Sequence, residues 1–286
     1  MKVLLIGRTG QLGGDLIRNN PGHDIVAPSR DELDIGNRGE IDAAIDGCRP
    51  DVVINTAAFH NVPLCETDPE SAFRINCTAV RDLAVACRKV DARFVNFSTD
   101  YVFGGDQRTP YAEDDRPQPL QMYGISRVAG EYAAQASAPE HAVIIRTCGL
   151  YGRSGAQSKG GNFVDKRLRD ARNCTSLEMG CDQVVSPTST EDLSRAVWQL
   201  IENRRLSGGI YHLVNEGECN WYEFTRAIYE IAGLPVEVLP VDRGGMSGEM
   251  RRPLYSVLGN KKARAMGVVM PHWRDALERG LTGPRG

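Results

Sequence analysis

The chain has 286 residues, 41% of them hydrophobic and 25% charged, with a formal net charge of −3, which is enough for one large or two modest domains with an ample core. The small net charge gives no electrostatic reason to expect nucleic acid or an anionic membrane as a partner, and no apolar run approaches the ~20 residues of a membrane span. Eight cysteines lie scattered without CxxC or zinc spacing, and the N-terminus enters an apolar strand with no signal-peptide pattern, so the expectation is a reduced cytoplasmic protein with no metal site in its own sequence pattern.

Residues 2–6 read as a short buried strand, followed by Gly7-Arg8-Thr9-Gly10-Gln11-Leu12-Gly13 and a helical pattern through Asn19. GxxGxxG opening a helix straight after a strand is the setting in which a glycine loop binds a dinucleotide. The first glycine permits the tight turn and the second lets backbone N–H groups reach the pyrophosphate. The third lets helix and strand pack closely, and the helix N-terminus favours the anion. All seven residues are cofactor-binding candidates. A second strand, 24–27, ends at Pro28-Ser29-Arg30. An acidic residue at this point receives a ribose 2′-hydroxyl, whereas an arginine accommodates a 2′-phosphate. Arg30, together with Arg8, therefore points to NADPH, while Asp31 and Glu32 leave NADH open. Asp34 is expected at the adenine edge.

Residues 40–48 read as a helix and 51–55 as a third buried strand, ending in Thr56-Ala57-Ala58, where the two alanines allow a cofactor close approach. One long helix is expected over 69–89, with apolar positions at Ala72, Ile75, Ala79, Leu83 and Ala86. The apolar run 92–97 leads into Ser98-Thr99-Asp100-Tyr101, and a loop rich in proline and glycine spans 104–119. In a helix beginning near Tyr123, that tyrosine and Arg127 share one face, a turn apart. A free tyrosine titrates near pH ~10, and a nearby cation favours its ionised form. The pair suits acid chemistry on a carbonyl oxygen, which the Thr99 hydroxyl on the adjacent strand end could also bind.

Further strands are expected at 142–146, 210–214 and 236–241, and helices at 162–172, 193–202 and 221–233. Residues 151–162 read as a mobile loop and the last few residues as frayed. Alternating strands and helices imply an α/β protein with a parallel, doubly wound sheet, whose ligands sit at the carboxyl ends of the strands. Gly7, Ala57, Ala58 and Thr99 all stand at that edge.

GRTGQLG at 7–13, RPDVVINTAA at 49–58, STDYVF at 98–103, YGISRVAGE at 123–131, DQVVSPT at 182–188 and RRPLYSVL at 251–258 together resemble the extended short-chain dehydrogenase/reductase superfamily. Within it, they resemble the dTDP-4-dehydrorhamnose reductase family over nearly the whole chain. The resemblance implies a Rossmann-type dinucleotide-binding domain over 1–150, to which 184–215 returns, and a smaller α/β substrate domain over 151–183 and 216–286. It implies NADPH-dependent reduction of the C4 ketone of dTDP-4-dehydro-β-L-rhamnose to dTDP-L-rhamnose, in the synthesis of surface polysaccharide. Tyr123 would donate the proton, Thr99 would hold the same oxygen, and Arg127 would bind the nicotinamide ribose and lower the tyrosine pKa. Asp100, Tyr101 and His60 would lie beside the sugar, and Arg252 near the nucleotide-sugar end. Some relatives bind magnesium at a dimer contact, so magnesium and a homodimer are further implications, with no ligands assignable here.

The chain departs from the family pattern at three places. Arg127 stands where lysine is usual, and a guanidinium effectively never deprotonates. Cys148 stands where tryptophan is frequent, and His60 and Pro63 stand where threonine and aspartate are favoured. Two alternatives stay open: a reductase or epimerase of another nucleotide sugar, and a non-catalytic NADP-binding subunit like the regulatory subunit of methionine adenosyltransferase.

Overall fold

The computed structural model describes residues 1–152, 161–248 and 250–283. Most of the loop expected over 151–162, and the frayed end, lie outside the described residues. The first half alternates strand and helix: β1 (Lys2–Ile6), α1 (Gln11–Arg18), β2 (Asp24–Val26), α2 (Arg38–Cys48), β3 (Val52–Asn55), the short α3 (Val62–Thr67) and α4 (Pro69–Phe73), α5 (Ala79–Lys89), β4 (Arg93–Thr99), α6 (Met122–Ser137) and β5 (Ala142–Thr147). After β6 (Leu150–Tyr151) come α7 (Phe163–Asp170), β7 (Ser176–Gly180), β8 (Val184–Val185), β9 (Thr188–Ser189), α8 (Thr190–Glu202) and β10 (Gly209–His212). The chain finishes with β11 (Cys219–Asn220), α9 (Trp221–Ile231), β12 (Glu237–Val241), the hairpin β13 (Met246–Ser247) and β14 (Met250–Arg251), α10 (Lys261–Ala265) and α11 (Trp273–Thr282).

Six strands form one parallel sheet in the order β10-β5-β4-β3-β1-β2. The strand expected at 210–214 does join this sheet, as β10 beside β5. Side chains alternate across a strand, so β1 sends Val3 and Leu5 to a core under α1 and α8, and Leu4 and Ile6 to a second core under α2, α5 and α6. With both faces covered, the strands carry continuous apolar runs, as buried parallel strands do. A separate cluster under α7, α9 and α11 gathers Tyr151, Phe224, Trp273 and Leu277. There β12, the strand expected at 236–241, pairs in parallel with β7, whose half-polar sequence does not announce a strand.

The helix expected over 69–89 is not regular. α4 passes into α5 through a π-helical turn, Arg74–Thr78. This bulge carries Asn76, a polar residue 1% exposed, whose amide accepts from the Phe59 N–H and donates to the Phe59 carbonyl at 2.9 Å each. Extra residues in a helix turn often mark functional sites, and here the bulge ties the loop after β3 to the neighbouring helix.

α6 is clamped to the sheet by a buried ion pair. Arg146 on β5 makes two contacts to Glu131, Nε to Oε1 at 3.0 Å and Nη2 to Oε2 at 2.7 Å, and Ser98 on β4 donates to the same carboxylate. Arg146 is 1% and Glu131 0% exposed. Removing one member of such a pair strands a buried charge, so Arg146→Ala is expected to destabilise the chain by about 3–5 kcal/mol in urea unfolding.

His212 on β10 is fully buried, and burial, then the Arg146 guanidinium, pull its pKa down from 6.5 to about 3. The unfolded chain therefore takes up this proton before the folded chain does. The stability this histidine lends is complete above pH 6.5 and is lost as pH falls toward 3, at ~1.4 kcal/mol per pH unit. His212→Gln is expected to flatten that acid limb when urea midpoints are measured across this range.

Candidate active site

The carboxyl ends of β1, β3, β4 and β5 converge at one edge of the sheet. At β1, Gly7 has φ +91° and an added Cβ would lie 2.4 Å from Thr56 Oγ1, so only glycine fits the turn. An added Cβ at Gly13 would lie 2.2 Å from the Gly7 carbonyl oxygen, the mark of a helix packed hard against the preceding turn. Gly10 caps α1 with extended backbone and no side-chain cap bond, which leaves the amide groups of the first helical turn to an anion. Arg8, Thr9 and Gly10 are exposed and Gln11 half-buried. Leu12 differs from expectation: its side chain packs into the core, 5% exposed, so only its backbone remains at the loop.

Arg30 is exposed on the loop after β2. Glu32 accepts from the Ser29 N–H at 2.7 Å, and the Ser29 hydrogen bonds, with a small contribution from Arg8, hold its carboxyl below the ordinary range. Glu32 is thus turned back on its own loop, and Arg8 faces the same loop from the glycine turn. Asp34 closes a local turn by accepting from Gly36 N–H at 2.9 Å. Ala57 and Ala58 are half-buried beyond β3, with Ala57 N–H donating to Asn55 Oδ1 at 3.1 Å. His60 Nδ1 lies 3.2 Å from the Ala58 carbonyl.

Tyr123 and Arg127 lie on one face of α6, with the guanidinium carbon 5.9 Å from the tyrosine ring centre. The helix start is fixed from both sides: Gln121 accepts from Gly124 N–H at 3.0 Å, and Glu66 accepts from Met122 N–H at 2.8 Å. Two glycines let α6 approach its neighbours. An added Cβ would lie 2.2 Å from the Tyr101 carbonyl at Gly124 and 2.0 Å from the Asn76 carbonyl at Gly130. Asn76 also donates to Ser126 Oγ at 3.0 Å, and Ser126 donates to the Tyr123 carbonyl at 2.8 Å. Sequence reasoning missed Asn76 and Ser126, although a polar Asn76 beside the apolar stripe of its helix was a usable signal.

Arg127 is 5% exposed yet makes no hydrogen bond or ion pair among the described residues. A buried guanidinium with no hydrogen-bond or ion-pair partner among the described residues is costly, which makes it a candidate to meet a bound group. Burial raises the Tyr123 pKa, while Arg127 and a hydrogen bond with Thr99 pull it down. Burial prevails here, so the tyrosine holds its proton rather than being poised as an anion.

Tyr101 meets Tyr123 edge to face, with ring centres 6.3 Å apart, and Arg252 Nη1 donates to the Tyr101 hydroxyl at 3.1 Å. Asp100 differs from expectation. It is 4% exposed and turned inward, accepting from Ser256 Oγ at 2.6 Å, Cys148 Sγ at 3.1 Å and Thr99 Oγ1 at 3.0 Å, so it does not line the cleft. Cys148 likewise points into the protein, and Gly149 beside it leaves room for the Trp221 ring, which would sit 3.3 Å from an added Cβ. Among the described residues no group of three or more His, Cys, Asp or Glu side chains could hold a metal ion, and no helix is long and apolar enough to cross a membrane.

The family model described as the RmlD substrate binding domain matches residues 1–283. The chain is 36% identical over 282 residues to the spore coat polysaccharide biosynthesis protein SpsK of Bacillus subtilis, covering 98% of this chain and 96% of that one. It is 35% identical over 285 residues to a dTDP-4-keto-6-deoxy-D-glucose reductase of Streptomyces niveus, covering 97% and 96%. The crystal structure of dTDP-4-dehydrorhamnose reductase from Bacillus anthracis in complex with NADP superposes with a TM-score of 0.90 at 34% identity, covering 98% of both chains. The chain therefore belongs to the RmlD family, that of the dTDP-4-dehydrorhamnose reductases.

Proposed function

We propose that this chain is an oxidoreductase that reduces the C4 ketone of dTDP-4-dehydro-β-L-rhamnose to dTDP-L-rhamnose, using NADPH. The observation that carries the reading is the buried Arg127 beside Tyr123, with no hydrogen bond or ion pair among the described residues, near Thr99 on the sheet edge that also holds the Gly7 turn. The residues fit a dinucleotide: a glycine cradle that a Cβ would fill, an uncapped helix start and small Ala57 and Ala58 beyond β3. Gly7 to Gly13 would hold the pyrophosphate, Arg8 and Arg30 the 2′-phosphate, Asp34 the adenine edge, and Ala57, Ala58 and Arg127 the nicotinamide end. Bound there, NADPH supplies a hydride to the carbonyl carbon.

As the carbonyl bond opens, charge develops on its oxygen. The Tyr123 O–H donates its proton to that oxygen, and the Thr99 hydroxyl hydrogen-bonds it. Tyr123 is left as an anion facing Arg127, whose charge stabilises it. An arginine serves this electrostatic role but is a poor proton carrier, so Tyr123 recovers its proton by another path. Tyr101, held by Arg252, and His60 would line the sugar. The part of the chain at 151–183 and 216–286 would carry the substrate, and the sheet with 1–150 and 184–215 the cofactor.

A ketoreductase of a different dTDP-4-keto sugar is the second reading, favoured by Cys148 turning to Asp100, which alters the pocket wall next to Gly149. The non-catalytic NADP-binding reading is disfavoured by the presence of Thr99, Tyr123 and Arg252 together, since cofactor binding alone does not need the set.

NADPH oxidation with dTDP-4-dehydro-β-L-rhamnose tests the proposal: turnover is expected, and its absence would sink the reading. Tyr123→Phe should lower kcat about 10²–10⁴-fold with NADPH binding retained in a fluorescence titration. Arg127→Lys, which keeps the charge, should hold kcat within about tenfold, whereas Arg127→Ala should lose more than that by removing the only cation beside Tyr123 among the described residues.

A further inference from the structure

Asp100 closes a buried cluster that the hydride chemistry does not itself use. Its Oδ2 meets Ser256 Oγ at 2.6 Å and Cys148 Sγ at 3.1 Å, and its Oδ1 meets Thr99 Oγ1 at 3.0 Å. No Lys, Arg or His forms an ion pair with it among the described residues. The titratable groups facing it are Tyr101, Tyr123 and Cys148, each kept neutral by burial. The nearby cations stand elsewhere: Arg127 lies 5.9 Å from the Tyr123 ring centre and Arg252 6.0 Å from that of Tyr101.

The hydrogens can be counted. The Thr99 hydroxyl has one proton and two lone pairs, and one lone pair accepts from Tyr101 N–H at 3.1 Å. If Asp100 is ionised, Thr99 spends its proton on Oδ1 and faces Tyr123 only as an acceptor. If Oδ1 carries a proton, it donates to the second lone pair of Thr99, and Ser256 and Cys148 still donate to Oδ2. The Thr99 proton is then free to point at Tyr123 and the substrate oxygen. Every donor and acceptor is satisfied, and no unpaired charge is buried.

We propose that Asp100 is a neutral carboxylic acid in the working protein, a positioning residue that donates to Thr99 Oγ1 and thereby turns the Thr99 proton toward the reacting oxygen. Burial pushes the Asp100 carboxyl up from the ordinary aspartate value, against the hydrogen bonds of Ser256, Cys148 and Thr99 that pull it down. A buried carboxyl with no cation beside it is the environment that keeps an acid protonated. Asparagine can replace this acid form: its amide N–H donates to Thr99 and its carbonyl accepts from Ser256 and Cys148. Only the consequence for turnover rests on the reductase reading; the protonation state does not.

Difference infrared spectroscopy of the full chain at pH 7, native against D100N, tests the state directly. The expected result is a protonated-carboxyl carbonyl band in the native chain that D100N removes, and a carboxylate band in its place would overturn the proposal. In turnover, D100A should lose about 10²–10³-fold, as for a lost oxyanion donor, while D100N should recover most of that loss. The native rate should also fall as pH rises through the Asp100 pKa, a limb that D100N lacks. D100N losing as much as D100A would overturn the positioning role. A native chain that turns over no nucleotide-sugar ketone would refute the reductase reading instead, with the infrared band still deciding the state of Asp100.

Discussion

The Arg146–Glu131 pair joins the middle of the sheet to the helix that carries Tyr123 and Arg127, and most of the site geometry depends on it. Glu131 sits one turn beyond Arg127 on α6, and its carboxylate is held by β5 through Arg146 and by β4 through Ser98. The strand that bears Thr99 and the helix that bears Tyr123 are therefore locked to one carboxylate. In a low-dielectric interior such a pair does not add much net stability over an apolar contact, but it tolerates little displacement, since any slip strands a charge. Precision is what a proton donor beside a reacting carbonyl needs.

The helix that packs against α6 adds a second constraint by giving up regularity. Its π-helical turn brings Asn76 out to the loop at Phe59 and to Ser126, so the loop before His60 and the first turn of α6 are tied to one side chain. Gly130 and Gly124 allow this because any side chain there would collide with backbone carbonyls. Among the described residues Arg127 is buried with no hydrogen bond or ion pair, and Arg252 Nε, Gln11 Oε1 and Thr147 Oγ1 are buried without hydrogen-bond partners. A folded chain rarely leaves such groups unpaired, so those beside the glycine turn and the strand ends are candidates to meet a bound ligand.

Much of this was legible in the residues. The glycine turn after β1, the parallel alternation and the Tyr123–Arg127 pair follow from spacing, because a period of two or of nearly four converts directly into faces. Asp100 was not legible in that way. Its neighbours in the chain, Thr99 and Tyr101, face the site, and only the return of Ser256 from the far end of the chain and of Cys148 just after β5 turns it inward. Leu12 shows a similar limit: a residue in a binding loop can bind through its backbone while its side chain fills the core. The strand expected at 236–241 is β12, but its parallel partner β7 was hidden because Ser176–Gly180 is not apolar enough to be read alone.

The sequence by itself determined the strand–helix alternation, the place of the glycine turn, and the cation one helical turn from a tyrosine, since all of these are local and need only backbone geometry and near neighbours. Only the tertiary structure decided that Arg127 is buried with no hydrogen bond or ion pair among the described residues, that burial outweighs its pull on Tyr123, and that Asp100 meets Ser256 across 156 positions of chain. Those properties depend on what surrounds a group once the chain has closed over it, and desolvation is a property of the whole environment rather than of any stretch of residues.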